Sequence, residues 1–207
     1  MYGKLRYQEG RRTRALVLLG LAIALAGCAG TSLTNMWKDS AFQGPKLQNV
    51  LVVGIGKNET ARRLWEDTFS AEVGKRGVKA TPLNSIYAAD YPDTTVLRQK
   101  VQELGFDGIV VTHAIGREKE ISYTPGYVSY GPAYGPYWGG YYGAVVSPGY
   151  ITTDEYLHVE TRVYATGGGG KLIWTGTTET MNPSNVEQVS HEISSVLIPE
   201  LAKQGIF

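Results

Sequence analysis

His158, Glu160 and Arg162 stand at alternate positions of one segment, so in a strand an imidazole, a carboxylate and a guanidinium share a face. A proton-exchanging ring beside a charged partner is what general acid–base catalysis requires. A solvated sheet face with cross-strand ion pairs carries the same pattern. The other two histidines, His113 and His191, show no spacing that would hold a metal. The chain has one cysteine, Cys28, which excludes an internal disulfide and any multi-cysteine metal site. No serine or cysteine has a visible base partner, so the residues give no sign of a covalent nucleophile. Gly54-Ile55-Gly56-Lys57 precedes an expected helix, where backbone amides can hold an anion. The dinucleotide fingerprint fails because Glu59 occupies the place of its third glycine. The phosphate-binding P-loop fails because Leu51 stands where its first glycine belongs. A tight strand-to-helix turn accounts for the two glycines. No cofactor and no metal are implied, and an enzyme is not expected.

The strongest chemical bias lies in residues 123–150. Eight of the chain's 14 tyrosines fall there, with seven glycines, four prolines, Trp138 and no charged residue. Tyr127, Tyr130, Tyr134, Tyr137 and Tyr141 recur every three or four residues, and Tyr142 follows. Uncharged aromatic rings stack on sugars and dock on proteins. Proline and glycine at this density oppose helix and central strand, so a long loop at the tip of a hairpin is expected. Its arms are expected at 117–122 and 151–156.

The N-terminal part reads as a targeting segment. Residues 1–14 are polar and basic, 15–26 are uncharged and mostly apolar, and Gly27 and Cys28 follow. The apolar run is shorter than the roughly 20 residues that span a bilayer. Leu25-Ala26-Gly27-Cys28 resembles the bacterial lipobox. That resemblance implies diacylglycerol on the Cys28 thiol, removal of residues 1–27 and acylation of the new amino terminus. Ala29 stands where an inner-membrane retention signal has Asp, which implies the outer membrane. The chain carries 20 basic and 19 acidic side chains. Without residues 1–27 the balance becomes 15 against 18, a net of −3. A mildly acidic domain has no general attraction for nucleic acid.

Residues 28–46 read as a flexible tether and 47–207 as one α/β domain. Asn49–Ile55 suits a strand buried on both faces. Asn58 or Thr60 caps a helix with Ala61, Leu64, Trp65, Phe69 and Val73 on its apolar face. Val78–Thr81 is a short strand. A second helix begins at Asp93 or Thr94, carries Leu97, Val101 and Leu104, and stops at Gly105. Asp107–Ile115 is a third strand. After the Tyr/Gly/Pro loop, Asp154–Thr166 and Lys171–Met181 alternate about a glycine turn. Leu157, Val159, Val163, Ala165, Leu172 and Trp174 are expected inward, and His158, Glu160, Arg162, Tyr164 and Ile173 outward. Asn182 is expected to cap the last helix, with Pro183 at its first position. The fold class is therefore α/β (α+β): a small mixed sheet with helices packed on it, in the order β-α-β-α-β-(long loop)-β-β-α.

The lipobox, Val50–Gly56, Arg62–Glu66, Gly105–Thr112 and Gly170–Gly176 together resemble a group of uncharacterised proteobacterial outer-membrane lipoproteins. The order of elements is similar to the periplasmic module of the penicillin-binding-protein activator lipoproteins, the curli-secretion lipoprotein and the N-terminal domain of TolB. This implies a membrane-anchored, non-catalytic module that binds an envelope protein or glycan from the periplasmic side of the outer membrane. The competing expectation is an envelope enzyme built on His158 and Glu160.

Overall fold

In a computed structural model, residues 30–87, 92–133, 141–167 and 169–207 are described. The targeting segment, Leu25, Ala26, Gly27 and Cys28, as well as Tyr134, Tyr137 and Trp138, lie outside them. Among the described residues no helix is long and apolar enough to cross a membrane.

The elements in chain order are β1 (Thr31–Lys38), β2 (Asn49–Ile55), α1 (Glu59–Gly74), β3 (Lys79–Pro82), a short 3-10 turn (Leu83–Ser85), α2 (Thr94–Glu103), β4 (Gly108–Thr124), β5 (Tyr127–Ala133), β6 (Tyr141–Ser147), β7 (Tyr150–Ala165), β8 (Lys171–Met181) and α3 (Val186–Lys203). Six strands form one mixed sheet in the order β1-β8-β7-β4-β2-β3, and β5 pairs with β6 separately. β2 runs parallel to both β3 and β4, and the remaining pairs are antiparallel.

Alternation along β2 explains the layers. Val50 and Val52 turn to one face, where Trp65, Phe69 and Val73 of α1 and Ile193, Leu197 and Leu201 of α3 close the main core. Leu51 and Val53 turn to the other, where Val101 of α2 and Leu83 form a smaller cluster. The helices start where hydrogen-bonding side chains precede them. Asn58 accepts from Ala61 N at 2.9 Å, and Asp93 accepts from Thr95 N at 2.7 Å. Gly105, at φ +64°, ends the turn after α2.

Four expectations are corrected. Residues 31–38, expected within a tether, form an edge strand on β8 in which Thr31 is buried and Leu33 half-buried. Ile173, expected outward, is fully buried beside Trp174. The register slips by one residue between Val163 and Tyr164, and the extra residue on β8 turns inward. The cap of α3 is Asn185, which accepts from Gln188 N at 2.9 Å. Asn182 has φ +49° and instead clasps β7, accepting from Glu155 N and donating to Asp154, both at 2.9 Å. Finally, residues 123–150 do not form a plain loop: 123–124 with 150, and 127–133 with 141–147, are paired in strands.

Candidate functional site

β2 stops pairing with β4 at His113, and β8 stops pairing with β7 at Tyr156. Beyond these points β4 and β7 continue alone, antiparallel, to Thr124 and Tyr150. At about 3.3 Å per residue, Lys119–Thr124 carries this two-stranded arm roughly 20 Å past the sheet. The ladder then resumes as β5 and β6, from Tyr127 opposite Ser147 to Ala133 opposite Tyr141.

Between the two ladders Pro125-Gly126 on one strand meets Pro148-Gly149 on the other. A Cβ on Gly126 would stand 2.5 Å from Gly149 N and 2.7 Å from Ser147 O. A Cβ on Gly149 would stand 2.8 Å from Gly126 N. The prolines supply no amide to the ladder and the glycines let the backbones close on each other, so the four residues make a joint.

Charge ends at the base of the arm. Arg117 binds Glu155 at 2.6 Å, and no residue from Ile121 to Thr153 is charged. Ile121, Tyr123, Tyr127, Val128, Val146, Tyr150 and Ile151 are all exposed along it. Among the tyrosines singled out by the sequence, Tyr127 thus lies on the surface. By register Tyr130 stands opposite Ala144, Tyr142 opposite Pro132 and Tyr141 opposite Ala133. Near the base, burial is the first cause that pushes the Tyr156 phenol up, followed by the nearby carboxylates of Glu120, Asp154 and Glu179.

The sheet face that carries His158, Glu160 and Arg162 does not join them as one acid–base group. The His158 ring lies between Glu179 at 3.7 Å and Glu118 at 3.9 Å, beyond hydrogen-bond reach of either. Glu160 binds Arg162 instead, at 2.8 Å, and this bond raises the arginine's pKa. The carboxylates around His158 come from β4 and β8, and a one-residue slip in β4 between Ala114 and Gly116 helps set which of them face it. Spacing within the histidine's own strand carries no trace of them. Among the described residues no three His, Cys, Asp or Glu side chains gather as a metal site.

A second feature opens where β2 hands over to α1. The Glu66 carboxylate, fully buried, accepts from Gly54 N at 3.0 Å and from Asn84 N at 2.9 Å. It also pairs with Arg62 at 3.5 Å. A Cβ on Gly54 would stand 3.2 Å from the Trp65 ring and 3.3 Å from Arg62 Cγ, so glycine permits this close approach of strand and helix. The turn expected at Gly54-Ile55-Gly56-Lys57 is thus a packed one, and a cleft lies beside it.

No family model and no curated protein sequence matches the chain. Among solved structures it is similar to a PelC dodecamer from Paraburkholderia phytofirmans, with TM-score 0.46 and 11% identity over 81% of this chain and 97% of that one. A second PelC dodecamer crystal form gives 0.44 and 10% identity over 83% and 95%. A lipoprotein from Neisseria meningitidis gives 0.38 and 14% identity over 75% and 98%.

Proposed function

We propose that this chain is a lipid-anchored, non-catalytic binding and assembly module of the cell envelope, held by Cys28 to the outer membrane and facing the periplasm. Its uncharged arm takes the partner, a protein or a glycan. The observation that carries this reading is the exposure of seven large apolar residues on a ribbon free of charge over 33 residues. An isolated two-stranded ribbon is marginal in water. Its outer edges present unpaired backbone groups, which natural proteins otherwise protect with charge or cover. A partner that adds a strand, or stacks on the tyrosines, satisfies both the backbone and the apolar surface. The lipobox supplies the anchor.

Two changes test the reading. Cys28→Ser is expected to leave an unprocessed or soluble form without incorporated fatty acid. Deleting residues 127–147 and closing with a short Gly-Ser turn is expected to preserve cooperative melting and abolish partner capture from envelopes. A deletion variant that still captures the same partner would overturn the role of the arm.

A further inference from the structure

We infer that the cleft between the starts of α1 and α3 binds a small organic anion with an apolar body, through a carboxylate or phosphate. The cleft measures about 350 Å³, within the range of small-molecule sites. It lies at the carboxyl end of β2 and beside the middle of β4, where β2 stops pairing, lined by Gly54–Asn58 from the first and by Thr112, Ala114 and Arg117 from the second.

The chemistry of the wall selects the ligand class. Its charged side chains are Lys57, Arg62 and Arg117, and it contains no carboxylate. Arg62 and Arg117 are engaged by Glu66 and Glu155. Lys57 is exposed and makes no ion pair among the described residues. The N-termini of two long helices meet here, capped by Asn58 and Asn185. Each cap uses its side chain on one amide, at Ala61 and Gln188, and other first-turn amides have no acceptor within their helix. The floor is apolar, with Leu157, Val159, Val189 and Ile193. Trp65 also forms part of the wall. It is 8% exposed. An apolar ligand body would cover this floor and wall.

The test uses the full mature chain in nanodiscs, with empty nanodiscs as the blank. Binding of 1-naphthyl phosphate, 1-naphthaleneacetate, uncharged 1-naphthol and inorganic phosphate is measured by titration calorimetry. The two naphthyl anions are expected to bind, with naphthol and inorganic phosphate each roughly ten-fold weaker. The better of the two anions identifies the head group. Lys57→Glu is expected to weaken the naphthyl anions roughly five-fold and leave naphthol unchanged. Ala114→Trp, at an exposed position of the wall, is expected to abolish binding of all four. If that variant fails to fold, Ser184→Trp blocks the opposite wall with the same expectation. The inference is overturned if no probe binds at millimolar concentration, if naphthol equals the anions, or if binding survives the folded blocking variant. None of these outcomes depends on the arm, so this site and the arm's role stand or fall separately.

Discussion

The carboxylate of Glu66 on α1 accepts a hydrogen bond from the backbone amide of Gly54 on β2 at 3.0 Å, and both residues are closed to water. This contact ties the first helix to the central strand and sets the turn between them. Glu66→Ala removes the carboxylate that pairs with Arg62 and that accepts from the amides of Gly54 and Asn84. It is expected to cost about 3–5 kcal/mol, the usual range for breaking a buried pair. Glu66→Gln keeps an oxygen acceptor and is expected to cost less. Chemical denaturation of both variants checks the order, and equal costs would show that charge alone matters there.

Val163 faces Trp174 across β7 and β8, and both are fully buried. The Trp174 ring extends over Gly176, where any Cβ would collide with it. Trp174→Ala is expected to destabilise the domain by about 3–5 kcal/mol. Gly176→Ala adds a single methyl group and is still expected to cost about 1–3 kcal/mol, because the ring has nowhere to move. Unfolding curves measure both, and an unchanged midpoint for Gly176→Ala would contradict the packing.

Asp39 follows β1 and binds Lys171 of β8 at 2.5 Å. This hydrogen bond, then one from the Ala41 amide, lowers its pKa. A folded pKa below the unfolded value gives stability that is present above the unfolded value, about 3.9 for Asp, and is lost as pH falls through the folded one. Asp39→Asn is therefore expected to melt below the parent at pH 6. The gap should close only in acid below the ordinary aspartate range. A gap independent of pH would mean that packing, not ionisation, sets the contribution.

The joint at Gly126 and Gly149 separates the ribbon tip from the domain. Gly126→Ala is expected to splay the two strands and remove hydrogen-exchange protection from the described amides of β5 and β6. The domain's melting temperature is expected to move by only about 1–2 °C, since the joint touches no part of the core. Unchanged exchange would mean that the strands close without the joint.

Much of the domain could be read from residue pattern because local and tertiary signals agree there. The apolar run at β2, the Asn58 and Asp93 caps and the Val163–Trp174 register are of this kind. The failures share a cause: each depends on a partner distant in sequence. Ile173 turns inward through a bulge, which a strict two-residue period cannot register. Thr31–Lys38 is polar because it is an edge strand with one flank in water, and such a strand reads like a tether. The Tyr/Gly/Pro stretch looks irregular until Pro125-Gly126 is set against Pro148-Gly149. His158 meets carboxylates from the strands on either side, so its own strand could not reveal them. The cleft beside Trp65 joins the starts of two helices more than 120 residues apart, with only the glycines at 54 and 56 as a local sign.

The role proposed for the arm is to meet the partner. It is tested most directly by placing benzoylphenylalanine at Tyr127 or Tyr150 of the full chain, with Arg76 on the domain surface as the reference position, and irradiating intact envelopes. Discrete crosslinked species are expected from Tyr127 and Tyr150 and none of them from Arg76. No adduct from the arm positions, or the same adducts from all three, would contradict it.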